Sequence, residues 1–263
     1  MGDGIQMKLI HLIITDLKRS VLSFRLILSA MGITAMMVMA IFGLMSDEEY
    51  IGVWYLMDLA IQGSGINSTI FCIFPVFAFG LSYASEWEQK ADRYWLIRTG
   101  SKHYALSKTF ISAVTGFLTV FLGITLFILI MSVKYPFHVK TYSEGLYEAL
   151  VEKGEVFQGC LLYMIHHSLS GAISAVCAMW FSTLLPNTFC SAVSPMLLYF
   201  ALLRVTERLK LPEFMKPIYW NSGVYYAETP EKTIGIKILI SFMLCFSFGC
   251  LIKRNMDRRL LNE

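Results

Sequence analysis

Two long apolar runs are separated by a charged segment that reads Ser85-Glu-Trp-Glu-Gln-Lys-Ala-Asp-Arg-Tyr-Trp-Leu-Ile-Arg-Thr-Gly-Ser-Lys-His103. The spacing predicts a single helix over Glu86–Thr99, because Trp87, Tyr94 and Trp95 then share one face. The other faces would carry favourable pairs four residues apart, Glu86 with Lys90 and Gln89 with Arg93. Gly100 is expected to end this helix, and Ser101 to cap the next one, which places Lys102 and Lys108 at headgroup depth.

The runs around this segment are typical of a membrane protein. Of the 263 residues, 56% are hydrophobic and 16% are charged, whereas charged residues make up roughly a quarter of a soluble domain. The net charge of +3 gives no sign of a nucleic-acid surface. The apolar residues come in blocks of nearly membrane-spanning length. We therefore predict an all-α membrane protein, one transmembrane domain over residues 1–263, with six spans: 26–45, 69–85, 108–133, 161–185, 188–203 and 234–252.

The distribution of Lys and Arg predicts the orientation of the spans. Basic residues lie in the amino-terminal segment, in residues 90–108 and in the tail from Lys253, whereas residues 46–68 contain no Lys or Arg. Because short cytoplasmic segments are enriched in basic residues, both termini are expected in the cytoplasm. The basic segment 204–233 would lie outside and is the exception to this pattern.

Two short amphipathic helices are also expected outside the spans. The first covers about residues 5–22 and would lie in the inner headgroup plane. Its apolar face consists of Ile10, Ile13, Ile14, Leu17 and Val21. The second would run over residues 144–153, with Ser143 as its cap and Gly154 at its end.

The charged segment admits two interpretations. It is either an interfacial helix anchored by its tryptophans or a coupling element that docks on a cytoplasmic subunit. A helix that only bound anionic lipid would be basic on its polar face, and residues 86–99 are nearly balanced in charge. The mixed charge favours docking of a protein partner.

The chain resembles the type-2 ABC exporter permeases. The resemblance rests on the amino-terminal amphipathic helix, the six spans with both ends inside, and the stretch Tyr83-Ala-Ser-Glu-x-Glu…Arg…Thr-Gly-Ser-Lys-x-Tyr…Lys108. The topology covers nearly the whole chain, and the motif covers residues 83–108. The resemblance implies that the charged segment is the coupling helix to an ATPase. The residues it would assign to this contact are Glu86, Trp87, Glu88, Arg93, Tyr94, Trp95, Arg98 and Gly100.

The same resemblance implies the partners. Such a chain is half of a transporter in a bacterial cell membrane: it would dimerise with itself or with a sister subunit, and a separate subunit would bind ATP and Mg. The chain itself is expected to bind no cofactor and to catalyse nothing, since Gly63–Thr69 lacks the Gly-Lys-Ser/Thr core of a phosphate loop.

Few charges in the spans favour an amphipathic or hydrophobic cargo. In the family, spans two and five line the dimer interface and the substrate path. The candidate path residues, for which lipid contact or packing is an equal alternative, are Phe71, Phe74, Phe77 and Met196. Pro75 and Pro195 are expected to kink these two spans.

Other chemistry is less well supported by the sequence. Neighbouring side chains such as His166 and His167 point about 100° apart on a helix, so we favour interfacial histidines over a metal site or a proton relay. Small residues at 170, 171, 174 and 175 predict close helix packing in span four.

The alternative function is a membrane anchor or scaffold that recruits a cytoplasmic partner without transport. An intramembrane enzyme is a more distant third.

Overall fold

The computed structural model describes residues 2–44, 52–62, 67–137, 147–217, 227 and 229–262, and all regular elements among them are helical. Predictions for Met45, Ser143 and residues 63–66 lie outside this part. The helices are α1 Gly2–Val21, α2 Phe24–Ile41, α3 Val53–Gln62, α4 Asn67–Pro75, α5 Ser82–Glu88, α6 Asp92–Thr99, α7 Ser101–Met131, α8 Glu148–Glu152, α9 Val156–Leu184, α10 Thr188–Glu207 and α11 Pro230–Asn262.

Five of these helices, α2, α7, α9, α10 and α11, are long and apolar enough to cross a membrane. The predicted second span, 69–85, corresponds to a bent pair, residues 70–80 and Ser82–Glu88, whose axes differ by 49°. At Pro75, which cannot donate a backbone hydrogen bond, the α-helix gives way to a π-helical turn, Val76–Gly80. The bend falls at Leu81, after this turn. Pro195, by contrast, lies within the single helix α10.

Short connections fix the order of the helices. Ser23 accepts a hydrogen bond from the Leu26 amide at 3.3 Å and starts α2 two residues after α1 ends. Pro186-Asn187, the two residues between the predicted spans 161–185 and 188–203, join α9 to α10, and the Asn187 side chain caps α10 by accepting from the Cys190 amide at 3.1 Å. Gly154, with a φ of 88°, follows α8 as predicted. The chain therefore passes back and forth between the two ends of the bundle.

One end of the bundle, here termed the basic face, is formed by α1, α5, α6, the turn 185–187 and the end of α11. Three contacts close it. Ser101 Oγ donates to Asp257 Oδ1 at 2.5 Å, Asn255 Nδ2 to Thr183 Oγ1 at 3.0 Å, and Arg259 Nη2 to the Leu184 carbonyl at 3.1 Å. An apolar core lies just beneath this face, and it includes Tyr83, Leu96, Tyr104, Met179 and Met256.

The centre of the bundle is the contact between α7 and α9. A Cβ atom on Gly116 would lie 2.5 Å from the Gly171 carbonyl oxygen and 2.6 Å from the Ala175 Cβ. This confirms the close packing predicted from the small residues of span four. Because α9 also packs against α10 and α11, it holds both of these helices to the rest of the bundle.

Replacement of Gly116 by alanine is expected to lower the stability of the purified protein. The added methyl group has no room between the α7 and α9 backbones, and such overpacking costs about 1–3 kcal/mol. The measurement is thermal unfolding in detergent. Gly235→Ala is the matched control: no atom of the described residues lies within 4 Å of its added Cβ, and alanine favours a helix by up to about 1 kcal/mol. Equal melting temperatures for the two variants would contradict the close contact.

Candidate functional site

The charged segment is two helices and not the single helix predicted over Glu86–Thr99. At the end of α5 the Lys90 amide donates to the Trp87 carbonyl and the Ala91 amide to the Glu86 carbonyl, both at 2.9 Å. Lys90 has a φ of 56°, so it takes the left-handed position at which this helix-ending pattern usually has glycine. After this break, α6 runs to Gly100, whose φ of 78° ends the helix as predicted.

The break redistributes the aromatic side chains, which do not share one face. Trp87 and Trp95 are half-buried and pack on the core beneath the basic face. Trp87 also stacks on the Arg259 guanidinium, 4.5 Å from its ring centroid. Tyr94 and Ile97, in contrast, are 79% and 82% exposed. The tryptophans thus fix the segment to the bundle, whereas Tyr94 and Ile97 face outward.

Glu86 is buried under the segment. Its Oε1 lies 2.6 Å from the Lys108 Nζ of α7, and its Oε2 accepts a hydrogen bond from the Tyr104 hydroxyl. Glu86 and Lys108 are 5% and 2% exposed. The predicted surface pair of Glu86 with Lys90 is therefore wrong, and the Lys108 side chain points into the bundle instead of extending outward to the headgroups. Arg19, mostly exposed, approaches Glu86 Oε1 at 3.8 Å.

A second carboxylate completes this buried charge cluster, which consists of Asp16, Glu86, Tyr104 and Lys108. Asp16 Oδ2 lies 3.5 Å from Lys108 Nζ and 3.4 Å from Ser107 Oγ. Burial raises the pKa of the Asp16 carboxyl, and the neighbouring Lys108 ammonium opposes that rise. The cluster joins α1, α5 and α7 at one point. A helix was predicted over about residues 5–22, where α1 lies, but no role was predicted for Asp16.

An open groove of about 860 Å³ lies on the outward side of the segment. This basic-face groove is lined by Trp87, Glu88, Lys90, Asp92, Tyr94, Ile97, Pro186 and Asn187. Glu88 is exposed, and its Oε1 accepts hydrogen bonds from the backbone amide and the hydroxyl of Thr188, at 3.4 and 3.2 Å. A carboxylate at the first turn of α10 also interacts favourably with the helix dipole. The groove therefore contacts the ends of α5, α6 and α10 together.

The remaining predicted site residues have different environments. Arg98 is exposed on the last turn of α6, and the Arg93 side chain lies outside the described part. Ser101 does not cap α7, because its hydroxyl is directed to Asp257. Of the candidate path residues, Phe71 is 2% exposed and Phe77 is 43% exposed, while Phe74 and Met196 are half-buried. The four form no single surface within one chain, and their pore-facing role stays a prediction.

The two histidines lie in the interior of the bundle, not at an interface. His166 and His167 are 2% and 0% exposed. The His167 ring stacks on Phe71 with centroids 5.4 Å apart, and the His166 Nδ1 lies 3.3 Å from the Tyr147 hydroxyl. Among the described residues, no group of three or more His, Cys, Asp or Glu side chains is arranged to hold a metal ion.

A second buried lysine, Lys237, was not among the predicted site residues. Lys237 of α11 is 1% exposed and donates from its Nζ to the Ser170 hydroxyl of α9 at 2.7 Å. The signal was present in the sequence: Lys237 is the only charged residue within the predicted span 234–252. Ionisable residues in a span face the bundle interior and mark functional positions.

Comparisons with protein-family models, with curated proteins and with solved structures each found no match to this chain. The function is therefore inferred from the residues and their geometry.

Loss of Lys108 is expected to destabilise the protein strongly. Lys108→Met leaves Glu86 and Asp16 without their buried cation, and breaking a buried pair in this way costs about 3–5 kcal/mol. The double variant Glu86→Gln/Lys108→Met removes one of the two unpaired charges and should recover part of the loss. Thermal unfolding in detergent measures both effects. Lys102→Met, which removes an exposed lysine from the same helix, is the control. Strictly additive effects of the two substitutions would contradict the pairing.

Proposed function

We propose that this chain is the membrane-spanning permease subunit of an ATP-driven ABC exporter. In this proposal α2, the bent pair α4–α5, α7, α9, α10 and α11 are the six spans, and α1 is the elbow helix. The basic face is cytoplasmic, in accord with the distribution of Lys and Arg. Two such chains, identical or related, form the transporter, and a separate subunit that binds ATP and Mg docks in the basic-face groove.

The observation that carries the proposal is the combination of an exposed groove and a buried charge cluster in one short segment. Tyr94 and Ile97 are almost fully exposed, and large exposed side chains beside a concave surface are typical of a protein contact. On its inner side the same segment is held through Glu86 to Lys108 of α7. A partner that moves the groove would therefore also move a span.

The contacts suggest how motion would spread from the groove. Glu86 connects α5 to α7 and, through Lys108, to Asp16 of α1. Glu88 connects α5 to the first turn of α10. Closure of the ATP-binding subunits would pull on α5 and α6, and these two carboxylates would pass the displacement to α7 and to α10. The cargo that fits the apolar spans is an amphipathic or hydrophobic peptide, drug or lipid.

Substitution of the exposed groove residues is expected to prevent docking. Tyr94→Ala with Ile97→Asp removes the apolar contact and adds a charge at its centre, and hot-spot residues of this kind cost 2 kcal/mol or more, roughly thirtyfold in affinity. The measurement is co-purification of a co-expressed candidate ATP-binding subunit. Val133→Asp, at a residue 88% exposed on the opposite face, is the matched control. Undiminished co-purification of the double variant would overturn the assignment of the groove.

Removal of the contact between Glu88 and α10 is expected to uncouple transport without preventing docking. Glu88→Ala frees the Thr188 amide and hydroxyl, while Tyr94 and Ile97 remain. Coupling free energies are about 1–3 kcal/mol, so export per ATP hydrolysed should fall about fivefold or more. The assay measures ATP hydrolysis and export of a fluorescent amphiphile in vesicles with the co-purified partner. An unchanged ratio of export to hydrolysis would contradict this route.

A membrane anchor or scaffold without transport is the second candidate, because the exposed groove alone would serve recruitment equally well. The vesicle experiment separates the two. A scaffold retains its partner in the groove, but neither ATP hydrolysis nor export responds to candidate cargo. In the scaffold the Glu88→Ala variant would also have no export to lose.

A further inference from the structure

A cleft of about 390 Å³ lies between α10 and α11 and is floored by α9. Its wall is almost entirely apolar, from Pro195, Leu198 and Leu202 on α10 to Ile240, Leu244 and Phe248 on α11. The volume lies in the lower part of the range, roughly 300–1,000 Å³, that is typical of small-molecule sites. The cleft shares no lining residue with the basic-face groove.

Both walls of the cleft face outward over most of their length. Large apolar side chains of α10 and α11 are exposed outside the cleft, among them Leu197, Val205, Ile238 and Phe242. In a chain that spans a membrane these side chains contact hydrocarbon. A ligand dissolved in the bilayer could thus enter sideways between the two helices, without crossing water.

One part of the cleft wall is polar. Ser170 lines the cleft, and its hydroxyl oxygen accepts a hydrogen bond from Lys237 Nζ at 2.7 Å. The hydroxyl proton of Ser170 remains able to donate, and the adjacent lysine makes the site attractive to a negative charge. In a region of low dielectric constant this attraction is much stronger than in water. The cleft thus combines a hydrocarbon wall with a serine hydroxyl, behind which lies the buried Lys237 ammonium.

The geometry along α11 gives the cleft a direction. Lys237 lies eleven residues before Phe248, about 16 Å along a helix, and Ile240 and Leu244 follow on the same face. On α9, Ser170 is likewise followed by Ile173 and Cys177. From the polar point, an apolar channel therefore extends toward the basic face.

We propose that this cleft binds a single hydrocarbon chain that ends in an acidic group, with the acid at Ser170 and Lys237 and the chain along α11. One chain fits the volume better than the two chains of a phospholipid. The inference needs only the placement of α10 and α11 in a membrane. It does not depend on an ATP-binding partner, so its failure and that of the proposed function are distinguishable.

The test measures binding of palmitate to the purified chain in an uncharged detergent, by equilibrium dialysis with radiolabelled ligand, and compares it with hexadecanol. Palmitate should bind about tenfold more tightly or better, because hydrogen bonds to charged groups are stronger than neutral ones. Lysophosphatidate is a second probe, and tighter binding of either acid identifies carboxylate or phosphate as the preferred source. Equal binding of palmitate and hexadecanol would overturn the proposal.

Variants locate the site. Lys237→Met should abolish the preference for palmitate over hexadecanol, and Lys237→Arg should retain most of it. Lys253→Met, at an exposed position of the same helix, should change nothing. Cys177→Phe fills the apolar channel and should weaken both ligands without altering their ratio, which keeps the test decisive if Lys237→Met does not fold. A preference that survives Lys237→Met in folded protein would contradict the assignment.

A second copy of the chain is the competing occupant. If the purified protein is a dimer held through α10 and α11, shown by a cross-link between cysteines introduced at Leu197 and Phe242, and the monomer fails to bind palmitate, the cleft is a subunit interface and the proposal is wrong. Palmitate binding by the monomer supports the ligand site.

Discussion

The ion pair between Glu86 and Lys108 is the interaction on which the basic face of this bundle depends. Both groups are almost fully buried, and a buried charge is tolerated only when it is paired and hydrogen-bonded. Tyr104 supplies a hydrogen bond to Glu86, and Asp16 supplies a second carboxylate to Lys108. These four side chains come from α1, α5 and α7, so none of the three helices can shift without exposing or separating a buried charge.

Burial of Glu86 also decides which part of residues 85–103 is left for a partner. With Glu86 and much of the two tryptophans turned toward the bundle, the exposed side chains of the groove include Glu88, Lys90, Tyr94 and Ile97. A charge reversal at Glu86 would place a second cation beside Lys108 and disturb folding before it reported on docking. Glu88 is the informative carboxylate, because it is exposed and its contact is confined to the start of α10.

Periodicity and composition predicted most of the helices, since an apolar run of span length has few alternatives and Gly100 and Pro186-Asn187 are strong terminating signals. They failed where a residue acts against its usual preference. Lys90 occupies a left-handed position normally held by glycine, so nothing in the sequence marked the break between α5 and α6. The pairing of Glu86 with Lys108, 22 residues away, could not be predicted, because Lys90 is a nearer partner if residues 86–99 form one helix. Lys237 is the single charge in its predicted span, but a span is predicted from the hydropathy of the whole run, so no role was assigned to this residue.

The basic-face groove and the cleft are connected through α10, which with α11 packs least tightly in the bundle. α7 and α9 meet backbone to backbone at Gly116 and Gly171, which leaves little freedom for either to shift. In contrast, only 28% of an 18-residue apolar stretch of α10, and 11% of the corresponding stretch of α11, is buried within the bundle. α10 begins at the Glu88 contact and then forms one wall of the cleft from Pro195 to Thr206. A displacement at the groove would therefore move the cleft wall against a fixed floor, and under the proposed function a ligand in the cleft would sense the state of the groove through this one helix.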